Sequence, residues 1–217
     1  MKVISFVSSK GGVGKTTSAV LLAGELAIAG SKVTLIDADP NKPIEIWSKK
    51  SALHTNINVL TDDSDETILS TIANAGLASD FVIVDLEGTA TTRIGYAVAK
   101  SDLVLIPLQK SVMDADEAAK SVRLINNIMS ISNRKILYKL FFTRVPSAIR
   151  EKTARNIEQQ LITVPMLPVS IVDRAAYRTL FDIGGILNTL DFSDVGGLKA
   201  AKDNASKFAQ AVIDTLR

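Results

Sequence analysis

The chain has 217 residues, 47% of them hydrophobic and 22% charged, and a formal net charge of only +2 from 25 basic and 23 acidic side chains. It has no cysteine and a single histidine, His54. Disulfides, thiolate zinc sites, iron–sulfur clusters, cysteine nucleophiles and histidine metal clusters are therefore excluded. Chemistry must run on carboxylates, lysines, backbone dipoles or a metal held by oxygen. A dedicated nucleic-acid coat is not suggested, although a local basic patch is compatible with +2.

In chain order, the first apolar run is Val3–Val7, a predicted strand. The loop Ser8-Ser9-Lys10-Gly11-Gly12-Val13-Gly14-Lys15-Thr16-Thr17 follows. A predicted helix, Thr16–Ala29, then stops at Gly30, a good residue for a helix C-terminus. Strand, glycine loop, Gly-Lys-Thr and helix in this order form a phosphate cradle. Glycines let backbone N–H groups point inward at phosphate oxygens, and the helix N-terminus adds partial positive charge. Lys15 is placed to reach β- and γ-phosphates, the Thr16 hydroxyl to ligate Mg²⁺, and Thr17 to approach the α-phosphate. The first glycine of the general pattern G-x-x-x-x-G-K-[ST] is replaced by Ser9, and Lys10 adds a second lysine ahead of the glycines.

The second predicted strand, Lys32–Asp37, runs into Asp37-Ala38-Asp39-Pro40, with both aspartates near the cradle. Trp47 follows in a stretch for which packing or a dimer surface is the simplest role. His54 lies in a polar stretch and is expected to be exposed. A helix is expected over Asp65–Ala75, behind the capping cluster Asp62-Asp63-Ser64. Phe81-Val82-Ile83-Val84-Asp85 reads as a buried strand ending in a carboxylate able to hold the Mg²⁺ hydration shell. Glu87, in the loop after it, reads either as an unusual extra carboxylate or as a solvated loop residue, and the latter is expected.

Leu103–Pro107 and Lys135–Thr143 are further predicted strands, with helices at Asp114–Met129, Glu151–Leu161 and Asp194–Leu216. Short continuous apolar runs alternating with amphipathic stretches predict a doubly wound α/β fold, a mostly parallel sheet with helices on both faces. No linker or repeat divides the chain, so one domain over residues 1–217 is expected. No signal peptide and no run of about 18 apolar residues occurs, so a cytoplasmic protein is expected.

Lys10-Gly11-Gly12-Val13-Gly14-Lys15-Thr16-Thr17 resembles the deviant Walker A motif of the ParA/MinD family of ATPases. The Asp-x-Asp-Pro segment, the Walker B form at Asp85, the segment Ser101–Pro107 and the late residues Arg174, Tyr177, Arg178 and Gly184 extend the likeness to nearly the whole chain. The resemblance implies Mg²⁺, ATP as substrate and ADP as product. It also implies an ATP-sandwich homodimer in which Lys10 reaches the partner's nucleotide. Asp39 then orients the attacking water, Asp37 belongs to the metal's surroundings with Asp85, and Thr143-Arg144 lies where the family contacts the base. The chain departs from the family after Pro40, with Asn41 where Gln is common, and after Asp85, with Leu86-Glu87-Gly88 where Pro-Pro is common.

The P-loop begins at residue 10, which leaves no room ahead of it for a helix-turn-helix. That resembles the short ParA class, which implies a separate small centromere-binding partner as activator. Non-specific DNA contacts are expected from Arg174, Arg178, Lys199, Lys202, Lys207 and Arg217. The alternatives are a MinD-like membrane ATPase and a cargo-positioning or DNA-transfer relative. Membrane targeting is disfavoured, because the stripe Leu198, Ala201, Ala205, Phe208, Val212 and Leu216 is Ala-rich and fits packing against a sheet.

Overall fold

The computed structural model describes residues 1–88, 92–146, 164–191 and 195–217. The expected helix at 151–161 lies outside them, as does residue 194. Among the described residues six strands form one sheet in the order β3-β2-β4-β1-β5-β6. They are β1 (Lys2–Phe6), β2 (Val33–Ala38), β3 (Ile57–Thr61), β4 (Phe81–Leu86), β5 (Leu103–Leu108) and β6 (Leu137–Phe142). Every pairing is parallel.

Parallel strands covered on both faces need apolar side chains at every position, which is why these segments read as continuous runs. Alternate residues split between two cores. On one face Ile4, Phe6, Leu35, Ile83 and Leu105 meet helices α1 (Lys15–Ile28) and α7 (Leu198–Leu216). On the other, Val3, Ile36, Val84 and Ile106 meet α3 (Ile68–Ala78), α4 (Thr92–Lys100) and α5 (Val112–Ser132). The expected stripe of the last helix packs inward as anticipated: Leu198, Ala201, Ala205, Phe208 and Val212 are buried. Phe208 stacks on Phe141 with ring centroids 5.0 Å apart.

Several elements extend the expected outline. The edge strand β3 is half-exposed and carries no unbroken apolar run. Helix α2 (Pro43–Ser48) follows the Asp-x-Asp-Pro segment, and α6 (Ala175–Ile183) precedes the last helix. Trp47 of α2 is fully buried, and its indole N–H donates to the Gly185 carbonyl at 3.1 Å. His54 is half-buried rather than exposed, because its Nδ1 accepts the Asn56 amide N–H in a local turn.

Candidate nucleotide site

The loop between β1 and α1 sits at the carboxyl edge of the sheet, where doubly wound folds place their ligands. Gly12 and Gly14 have φ of 69° and 101°, conformations that a side chain would strain, so the glycines here are required by the turn. Thr143 closes over this turn. Its hydroxyl donates to the Val13 carbonyl at 2.6 Å, and its side chain lies against Gly14. The hydroxyl expected near the base is thus committed to holding the loop, while the rest of the side chain still lines the neighbouring cavity.

Two cavities meet at the loop. One, about 450 Å³, is lined by Gly11, Gly12, Gly14, Lys15, Thr16 and Thr17 together with Asp39, Glu87, Gly88 and Arg144. The other, about 510 Å³, is lined by Thr17, Thr143, Arg144, Val172, Arg174 and Tyr177, among others. Thr17, Gly14 and Arg144 border both, so the first fits a phosphate chain and the second a nucleoside. Arg144 stands at the junction with a φ of 50°.

Lys15 is 7% exposed, and burial holds its ammonium below the ordinary lysine range against the pull of Asp85, Asp39 and Glu87. A buried cation surrounded by carboxylates and open to an anion-sized cavity is stabilised further when phosphate enters.

Asp37 and Asp85 are paired across adjacent strands β2 and β4. Asp85 is fully buried; its Oδ2 accepts the Thr16 hydroxyl at 2.6 Å, and its Oδ1 has no partner. Burial pushes its carboxyl up to about 7, with the Thr16 bond and Lys15 opposing that shift. A partnerless buried carboxylate oxygen beside a threonine hydroxyl is the donor set that Mg²⁺ takes when it rides on phosphates. The residues present fit the ion.

Asp37, expected in the metal's surroundings beside Asp85, has its oxygens engaged by backbone. Its Oδ2 accepts the N–H groups of Ile44 at 2.7 Å and Glu45 at 2.9 Å, and its Oδ1 the Asp39 N–H at 3.3 Å. Pro43 opens α2, and Lys42 at its N-cap supplies no side-chain acceptor. The orphan N–H groups of this helix therefore turn to Asp37. Asp37 shapes the loop carrying Asp39, and its oxygens are engaged by backbone.

Asp39 is half-buried and faces the phosphate cavity. Its Oδ1 accepts both the backbone and side-chain N–H of Asn41, each at 2.9 Å. Asn41, which departs from the family pattern, thus orients the aspartate.

Lys10 lies beside the loop, and its Nζ donates to Asp114 Oδ2 of the same chain at 2.8 Å. Asp114 is 2% exposed at the start of α5, where Ser111 caps the helix by accepting the Asp114 N–H at 3.1 Å. Sequence reading missed Asp114, since nothing local links it to Lys10.

Glu87 corrects the expectation of a solvated residue. Its side chain is 15% exposed and forms a 2.9 Å ion pair with Arg93, itself buried in the first turn of α4. Two nitrogens of Arg93, Nε and Nη1, have no partner.

The six cations expected to touch DNA do not form one bare patch. Arg174 lines the nucleoside cavity, with its Nε buried. Arg178 pairs with Asp173, Lys207 with Asp203 at 2.8 Å, and Arg217 with Asp214 at 3.3 Å. Lys202 acts electrostatically on Glu25. Lys199 is exposed near the start of α7. Three of the six cations are thus paired with carboxylates, Asp173, Asp203 and Asp214. Among the described residues, no helix is long and apolar enough to cross a membrane.

The family model described as VirC1 protein matches residues 1–214. A ParA protein of Rhizobium radiobacter is 39% identical over the whole chain and 98% of its own length. This chain belongs to the VirC1 family, within the ParA/MinD class of P-loop ATPases. A virC1 protein of Rhizobium radiobacter is 30% identical over 88% of the chain and 84% of its own length. A McdA–ATP complex from Cyanothece superimposes with a TM-score of 0.75 at 19% identity, over 98% of this chain and 96% of that one, and carries the fold. The family is partition-related, and its members are ATPases.

Proposed function

We propose that the chain binds Mg–ATP at this corner, forms a face-to-face homodimer around two nucleotides and hydrolyses ATP slowly to ADP and phosphate. The cycle moves or segregates plasmid or chromosomal DNA. The observation that carries the reading is the preformed corner itself: buried Lys15, the Thr16–Asp85 bond and the partnerless Asp85 oxygen beside a glycine loop. The ATP in the related McdA complex supports the choice of nucleotide.

In this reading Lys15 and the amides of residues 10–17 hold the phosphates, and Arg144 with the side chain of Thr143 borders the nucleoside. Thr16 and Asp85 hold Mg²⁺, which neutralises phosphate charge, while Asp37 keeps Asp39 in register to orient water. Lys10 exchanges Asp114 for the partner's nucleotide, where a cation contributes as an arginine finger does. Non-specific DNA contact falls to Lys199 and Lys202, with Arg174, Arg178, Lys207 and Arg217 contributing where their carboxylates permit. Doubling in the dimer raises the local charge, and a small centromere-binding protein acts as activator. The chain is placed in the cytoplasm, on the nucleoid.

The test is co-sedimentation of the Asp39→Ala protein, trapped with ATP, against DNA and against anionic liposomes. Salt-sensitive binding to DNA alone is expected, since each phosphate neutralised releases counterions. Binding to liposomes alone would favour a membrane ATPase, and binding to neither a protein cargo.

A further inference from the structure

The end of β4 holds a second carboxylate besides Asp85. Glu87 and Gly88 line the phosphate cavity together with the glycine loop, Lys15, Thr16 and Asp39. Gly88 packs against that loop: a Cβ there would stand 3.4 Å from the Ser9 carbonyl oxygen and 3.6 Å from the Gly11 nitrogen. The position of Glu87 is therefore tied to the loop that grips the phosphates, and its charge is felt by the Lys15 ammonium.

A carboxylate facing a cavity for a polyanion is repelled by the ligand unless it is neutralised or employed. Glu87 is neutralised from behind. Arg93, 6% exposed, donates from Nη2 to Glu87 Oε1 at 2.9 Å. The Arg93 backbone N–H is itself fixed by Asp65 Oδ1 at 3.1 Å, so the guanidinium stands on an anchored helix start. Among the described residues Glu87 Oε2 takes no hydrogen bond. A buried arginine spends its desolvation only if its partner's placement matters, and a surface pair would serve stability at lower cost.

We propose that Glu87 is a second water-orienting residue of the ATPase reaction, working beside Asp39, and that Arg93 is the positioning residue that aims it. The inference rests on the ATPase reading above. In the step, the water oxygen forms a bond to the γ-phosphorus as the bond to the bridging oxygen breaks, and that electron pair leaves with ADP. One water proton stays on the inorganic phosphate, and the other passes through Glu87 to solvent. Asp39 is held by its own loop through Asn41, whereas Glu87 is held from α4, so two separate elements must be in place before water is aligned.

The experiment measures phosphate release at saturating Mg–ATP for the full chain, Glu87→Gln, Arg93→Lys and the double variant. Fluorescent-ATP affinity, Mg²⁺ half-saturation and thermal melting are recorded in parallel. Gln keeps an acceptor for Arg93, so the fold is expected to survive. Glu87→Gln should lower kcat by roughly tenfold or more with ATP affinity unchanged within about twofold. Arg93→Lys should lower kcat by a smaller factor, and should cost nothing further once Glu87 is Gln, the non-additivity expected of residues acting as a unit. If Glu87→Gln loses its cooperative melt, Arg93→Lys decides, through loss of kcat without a change in ATP affinity. A Glu87→Gln kcat within about twofold of wild type makes the pair structural and overturns the proposal. So does a loss restored by raised Mg²⁺, which would make Glu87 a metal ligand. A wild-type chain that neither binds nor hydrolyses ATP overturns the ATPase reading and this inference together, whereas turnover indifferent to Glu87 overturns only the inference.

Discussion

The ends of β2 and β4 lie side by side, with Asp37 opposite Asp85 in register. Both carboxylates are fully buried, yet their oxygens are used differently. At the end of β2 the backbone takes both oxygens of Asp37, through three N–H groups at the start of α2 and its loop. At the end of β4 one oxygen of Asp85 takes only a threonine hydroxyl and the other takes nothing. A satisfied buried carboxylate builds structure, and an unsatisfied one waits for a ligand. Two neighbouring aspartates thus differ: Asp37 braces the loop, and Asp85 keeps an oxygen open for the proposed ion.

The largest expected effect breaks the β4 side. Asp85→Asn should lower Mg²⁺ affinity and turnover by roughly 10–100-fold, read by ATPase assay across a Mg²⁺ titration. The same substitution should stabilise the ligand-free chain. Asp85 titrates near 7 when folded and near the ordinary carboxylate range, roughly 4, when unfolded. Between those values the folded state binds more protons, so stability falls as pH rises through the window and the cost is complete above about 7. Asparagine removes it, so Asp85→Asn should melt higher than wild type above pH 7 and show a smaller difference near pH 4.

The β2 side should answer in the opposite sense. Asp37→Ala leaves the Ile44 and Glu45 N–H groups without their acceptor and should destabilise the chain by about 1–3 kcal/mol in urea unfolding. A variant as stable as wild type would remove the scaffold role. A smaller effect concerns Lys10, a half-exposed lysine leaning on a buried aspartate. Asp114→Asn should weaken that hold by no more than about 1 kcal/mol and raise ATP-dependent dimerisation up to about fivefold by light scattering. Smallest of all, Lys207→Ala removes an exposed i,i+4 pair with Asp203 and should shift stability by less than about 0.5 kcal/mol.

The same contrast explains what was legible in the sequence. Strands β1, β2, β4 and β5 were legible because parallel strands buried on both faces read as apolar runs, and the edge strand β6 because its second half, Leu140–Phe142, is buried and apolar. Strand β3 was not, since an edge strand with polar Asn58 and Thr61 carries no such run. Helix α2 is six residues long and leans on Asp37 for its first turn, so its signal sat in a strand end rather than in the helix. The glycine loop was legible because phosphate binding by backbone amides demands those residue types in that order. Asp114 and Arg93 were illegible. Each acquires its partner only when α5 or α4 docks on the sheet, across 104 residues for the first pair. For the same reason the sequence shows Glu87 as a loop carboxylate without a partner, since Arg93 meets it only in the fold.

The most direct measurement is an equilibrium titration of fluorescent ATP into the wild-type chain and Lys15→Ala, with Mg²⁺ and with a chelator. The account expects wild type to bind more tightly with Mg²⁺ than without it, and Lys15→Ala to lose binding under both conditions. Undiminished affinity in Lys15→Ala, or wild-type binding indifferent to Mg²⁺, would contradict the assignment of this corner as a Mg–ATP site.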